Sequence, residues 1–158
     1  MNKKSVVLWL LIGMVLLASI PASRAQSGDV AVIVNSESRV ANIGLVDLRK
    51  LFAGERRTWP GGVPVKLIIR AAGSHERVAL LKLLGMSESE YKQYWSAQTL
   101  RGEAESEPFT APSLGMTIEA TKVFPGAITM IDAKEVKPGM KVIKVDGHMP
   151  GEPGYPLH

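Results

Sequence analysis

The chain has no cysteine, so neither a disulfide framework nor thiol chemistry is open to it, and its stability must come from packing. Histidine is scarce. His75, His148 and His158 show no metal-ligand spacing, two of them lie near the end of the chain, and no zinc site is expected. A strong excess of one charge is also missing. The formal net charge is +4, but Lys3, Lys4 and Arg24 sit in an N-terminal segment that reads as a removable leader. Without them 16 basic side chains face 15 acidic ones, and the basic residues are scattered. That balance gives no support for nucleic-acid binding.

The leader follows from the first residues. Lys3 and Lys4 form a short basic region, and Ser5 to Ile20 is an apolar run interrupted only by Gly13 and Ser19. Small residues then occupy the positions a signal peptidase reads, which places cleavage between Ala25 and Gln26. The apolar run is short for a membrane span, which needs about 20 residues. With no cysteine at the cut, no lipid anchor is expected. The reading is thus a signal peptide at 1–25, an α/β domain at 26–146, and a mobile tail at 147–158, where apolar periodicity ceases. The protein should be soluble and periplasmic after cleavage.

Within the domain, "DVAVIVN" from Asp29 is a short β-branched run and predicts a buried strand. "NIGLVDLRKLFAG" places Leu45, Leu48, Leu51 and Phe52 on one helical face, with Gly54 just beyond. "VPVKLIIR" predicts a second strand, too continuously apolar for a solvent-facing edge. Ser74 then caps a helix with Val78, Leu81 and Leu84 on one face, stopped by Gly85. Ser87 and Glu90 form a capping box for a helix carrying Tyr91, Tyr94 and Trp95. Arg101 to Pro112 is acidic and irregular, Ser113 caps another helix, and 127–131 and 140–145 read as closing strands. Alternating strands and helices predict a three-layer α/β sandwich around a mostly parallel or mixed sheet. In open sheets of this kind, ligands sit beyond the carboxyl ends of strands. Arg70 to Ser74 lies at such a place.

Three phrases together carry a resemblance. "VAVIVNSESRVANIGLVDLRKLFAGERRTWPGG", "VKLIIRAAGSHER" and "VFPGAITMI" are similar, in order and spacing, to segments of phosphate ABC importer binding proteins. The middle phrase resembles that family's strand followed by an Arg-x-Asp-Gly-Ser-Gly-Thr turn. The likeness runs over nearly the whole chain after the leader and implies one lobe of a type II periplasmic-binding-protein-like fold. It also implies a non-enzymatic solute-binding role and no cofactor. In the family, the Arg, Asp, Ser and Thr of the turn contact the oxyanion. Arg70 and Ser74 occupy the Arg and Ser positions, and Gly73 keeps the tight turn. Ala72 replaces the Asp, His75 the second glycine and Glu76 the threonine.

The residues at the turn admit two readings. Free amides at a helix start, with about half a positive charge from the helix dipole, attract an anion. Arg70 adds a bidentate donor and His75 a further donor when protonated. Against this, a first-turn acid such as Glu76 stabilises a helix by ~0.3–1 kcal/mol with no ligand present. Arg101 joins Arg70, Gly73, Ser74 and His75 as a candidate ligand residue; its alternative is a solvated charge beside Glu103, Glu105 and Glu107. Trp59 and the Tyr91–Trp95 stripe read as packing. Ser74, His75 and Glu76 are adjacent in sequence and cannot form a nucleophile–base–orienter chain, so no catalytic residue is expected. The expected partner is a small phosphate-like oxyanion, with an ABC importer or an envelope sensor beyond it. The alternative is a protein-interaction module with a degenerate ligand site, contacting a sensor, porin or transporter subunit.

Overall fold

The computed structural model describes residues 28–158. The expected signal peptide at 1–25 lies outside the described residues. Among the described residues, no helix is long and apolar enough to cross a membrane.

Among the described residues, six strands form one sheet: β1 (Val30–Val34), β2 (Asn42–Ile43), β3 (Lys66–Arg70), β4 (Phe109–Ala111), β5 (Ala127–Asp132) and β6 (Lys141–Val145), in the spatial order β2-β6-β1-β5-β3-β4. Four α-helices of the described residues cover it: α1 (Leu45–Phe52), α2 (His75–Leu84), α3 (Glu88–Leu100) and α4 (Leu114–Val123). The sheet is mixed. β2–β6, β3–β5 and β3–β4 are parallel, whereas β1 runs antiparallel to both β5 and β6.

Strand alternation divides the core into two faces. On one face Val30, Val32, Val34, Ile69 and Met130 meet Leu48, Leu51 and Phe52 of α1, Leu80 and Leu84 of α2, and Tyr91 and Trp95 of α3. On the other, Ala31, Ile33 and Ile131 meet Leu114, while Ile68, Ala111 and Ala127 meet Ala120 of α4. Three helices on one face and one on the other make the expected three layers.

Polar groups fasten the joints. The Asn35 side chain, at the end of β1, donates to the carbonyls of Thr121, Lys122 and Phe124 at 2.9–3.2 Å, which satisfies the last turn of α4. Gly44 has no side chain to cap α1; the Leu45 N–H donates instead to Asp146 across the sheet at 3.0 Å. Trp59 is buried, and its indole N–H donates to the Gly126 carbonyl at 2.9 Å. This places Trp59 in packing, as its loop position suggests.

Three local expectations change. The stretch from Arg101 to Pro112 is not wholly irregular, because Phe109–Ala111 adds β4 beside β3. In α2 the buried face is Ala79, Leu80 and Leu84, with Glu76 and Arg77 also buried, whereas Val78 is 57% exposed. The helix is turned because Arg77 lies over the Tyr91 ring and makes a double hydrogen bond to Glu88 at 2.9 and 3.0 Å. The third concerns the expected mobile tail. It has no regular secondary structure, but Tyr155 and Leu157 are buried in the larger core. The Tyr155 hydroxyl donates to the Val30 carbonyl at 2.7 Å, and the Val30 N–H donates to the Leu157 carbonyl at 3.1 Å. Asp29, itself buried, accepts from Gly151 N–H and faces His158 at 3.1 Å. An aperiodic segment can dock when one aromatic ring and its backbone find partners, and periodicity does not report that.

Candidate functional site

The parallel strands β3, β4 and β5 end together at Arg70, Ala111 and Asp132. From this edge β3 feeds α2 on the three-helix face, while the neighbouring β4 feeds α4 on the opposite face. The chain therefore leaves two adjacent strands, about 4.8 Å apart, in opposite directions. Such a divergence opens a crevice outside the carboxyl ends of the strands, the usual ligand position in open α/β sheets.

Both helices start at this crevice with a serine cap. Ser74 Oγ accepts from the Arg77 N–H at 3.2 Å, and Ser113 Oγ accepts from the Met116 N–H at 3.2 Å. Helix geometry leaves the preceding amides, those of His75 and Glu76 and of Leu114 and Gly115, without intrahelical partners. Gly73, at φ +83°, makes the turn into α2; a side chain there would strain the backbone although space is open around it. Arg70 reaches across the strand ends, its Nη1 3.5 Å from the Ala111 carbonyl.

The electrostatics are more self-contained than the turn alone suggests. Arg70 Nε stands 3.8 Å from Glu76 Oε1, with both side chains largely buried. Glu76 Oε1 also accepts from the Asp132 N–H at 3.2 Å, so its carboxylate bridges to the end of β5 rather than folding back on its own helix start. Arg70 Nε itself has no hydrogen-bond partner among the described residues. His75 is exposed and directs Nδ1 toward Asp132 Oδ2 at 3.6 Å. His75 thus faces Asp132 while Ser74 serves as a cap, and no hydrogen bond joins the two among the described residues.

Arg70, Gly73, Ser74 and His75 are therefore brought together in one turn. Arg101 is not. It ends α3, pairs with Glu103 at 2.8 Å, and precedes β4. Because β3 and β4 are parallel, that loop lies at the starting end of β3, across the sheet from Arg70. The start of α4, beginning at Ser113, and Asp132 are members of the crevice that sequence reasoning left out. The Ser113 cap was a visible signal; the adjacency of β4 to β3 was not.

Comparisons with known proteins bear on this geometry. No family model matches the chain, and no curated protein matches it. Solved structures do. A phosphate-bound protein from Clostridium perfringens, assigned to the phosphate ABC transporter substrate-binding proteins, is 19% identical, with a TM-score of 0.62 over 77% of this chain and 46% of that one. An ABC-type phosphate transport receptor from Vibrio cholerae is 18% identical, with a TM-score of 0.62 over 77% of this chain and 48% of that one. A phosphate-binding protein from Stenotrophomonas maltophilia is 15% identical, with a TM-score of 0.56 over 78% and 40%. The chain spans less than half the length of each of these proteins. In fold, it resembles part of the phosphate ABC transporter substrate-binding proteins.

Proposed function

We propose that this chain is a periplasmic, non-enzymatic solute-binding lobe that holds a small oxyanion such as phosphate weakly in the crevice between α2 and α4. The observation that carries the reading is the convergence of Arg70 with two capped helix starts at the diverging strands β3 and β4. Each helix start offers free amides and a positive dipole end, and Arg70 adds a flexible cation reaching between the strand ends. The fold likeness to phosphate-binding proteins supports the same reading, as does the leader-like pattern of residues 1–25, a basic pair followed by an apolar run.

Affinity should be low for two reasons. On the outer side of the crevice Gly73 and His75 are exposed, so water screens an anion's contacts there. Glu76 and Asp132 already face Arg70 and His75, and an incoming anion must compete with them. A dissociation constant on the order of 1 mM, about 4 kcal/mol of binding, fits such a site. Calorimetry of the purified protein with phosphate and with sulfate tests the proposal. Weak saturable heat that vanishes in Arg70→Ala is the expected result; no heat with either anion counts against it.

One observation favours a second reading. Because the crevice cations already have carboxylate neighbours, this edge also suits a protein-interaction module that has lost its ligand and contacts a transporter subunit or an envelope sensor. A stoichiometric partner that co-purifies in phosphate-free buffer, with calorimetry silent, would favour this reading over the first.

A further inference from the structure

At the end of the sheet opposite the crevice, an open groove of about 490 Å³ lies between the end of α1, the start of β3 and the loop from α3 to β4. Its volume is within the usual range for small-molecule sites, roughly 300–1,000 Å³. Leu51, Leu67 and Trp95 line it from the core. The backbone of Gly54 presses directly on the indole, since a Cβ there would stand 2.6 Å from Trp95. Phe109 and Phe124, both partly exposed, add aromatic surface.

The charges around this groove differ in kind from those at the crevice. Arg56 lines the groove but is already paired with Asp47 at 3.8 Å; the other four charged residues are Arg57 and Lys66 from the α1–β3 side and Glu105 and Glu107 from the α3–β4 loop. Among the described residues, none of these four takes part in an ion pair. The Arg57 Nε–H donates to the Gly54 carbonyl at 3.0 Å, which steadies the guanidinium at the groove. Lys66 Nζ stands 5.5 Å from the centroid of the Phe124 ring. Among the described residues, Glu107 accepts from the Ser96 hydroxyl alone, at 3.2 Å.

Two cations on one segment and two carboxylates on another, over an apolar floor, match a ligand with both signs of charge and an apolar body. We infer that this groove is a binding site for a zwitterionic apolar dipeptide, its carboxylate toward Arg57 and Lys66, its ammonium toward Glu105 and Glu107, and its side chains on Trp95 and Phe109. A purely anionic ligand would meet the two glutamates, and a purely apolar one would leave all four charges unused. The inference does not depend on the oxyanion reading.

Titration of the purified protein with L-phenylalanyl-L-leucine, followed by calorimetry and by tryptophan emission from Trp95, tests it. Exposed charge contacts are worth up to about 1 kcal/mol each, so acetylating the peptide's amino group or amidating its carboxylate should each weaken binding about fivefold. Lys66→Ala should shrink the difference between the free and amidated peptides, and Glu105→Gln should shrink that between the free and acetylated peptides. Arg70→Ala, at the other end of the sheet, should leave all three affinities unchanged. Equal binding of the free and blocked peptides would mean apolar contact alone and overturn the assignment, as would the absence of saturable binding. These peptide comparisons use the unaltered protein, so they decide the matter even where a variant fails to fold.

Discussion

The two ends of the sheet treat charge in opposite ways. At the crevice end Arg70 faces Glu76, His75 faces Asp132, and Arg77, in the same first turn of α2, is paired with Glu88. At the groove end Arg57, Lys66, Glu105 and Glu107 surround an apolar floor without ion pairs among the described residues. The difference teaches that a recognisable binding geometry and available binding charge need not coincide. The crevice has helix starts and diverging strands, yet any ligand there competes with built-in partners. The groove has no motif, but four of its five charged side chains have no ion-pair partner among the described residues.

The comparison breaks most severely where the backbone itself holds one end. Gly126 has φ +75°, and a Cβ there would lie 2.0 Å from the Pro64 carbonyl oxygen. Its carbonyl also accepts the Trp59 indole N–H. Gly126→Ala should destabilise the protein by about 3 kcal/mol or more, measured by denaturant unfolding, and should abolish the groove's architecture first. At the crevice end the matching support is Tyr155, which anchors the last residues beside the start of β1. Tyr155→Ala should cost roughly 3 kcal/mol, since it removes a fully buried ring. A stability equal to the parent protein's would restore the mobile-tail expectation.

A smaller effect comes from the paired charges. Hydrogen bonding to Arg77 is the main cause that lowers the Glu88 pKa below its ordinary 4.5. A carboxylate whose pKa is depressed on folding contributes stability above its unfolded pKa, and loses it as pH falls through the folded value. Unfolding monitored at successively lower pH should therefore show a stability loss below about 4.5 that is reduced in Glu88→Gln. Smallest of all, Glu76→Gln should remove the built-in competitor at the crevice. Phosphate affinity should rise about fivefold, the equivalent of roughly 1 kcal/mol, in calorimetry. An unchanged affinity would mean that Glu76 does not set it.

How much of this was legible depends on the residue. The larger core was readable because Leu48, Leu51 and Phe52 obey helical spacing, and Val30 to Val34 form an unbroken apolar run rich in β-branched residues. The caps at Ser74, Ser87 and Ser113 are local chemistry and appear as the side-chain pattern implies. Strand direction was less accessible. Nothing in "VAVIV" states that it runs antiparallel to both neighbours, since that depends on where β5 and β6 arrive. β4 has three residues, too few for a period to register, and without it the crevice loses its second helix start. The α2 face was misjudged because Glu76 and Arg77 are buried through partners on other elements, which no hydropathy pattern encodes. Arg101 was expected to reach the sheet's loop edge beside Arg70, and the parallel pairing of β3 with β4 separates them.

The most direct test of the central claim is a backbone amide NMR titration of the protein with phosphate. The account predicts that the amides of Gly73 to Arg77 and those of Leu114 to Met116 shift together along one binding curve, and that both sets stay still in Arg70→Ala. Shifts confined to the loop around Arg101, or a spectrum that does not respond, would contradict it.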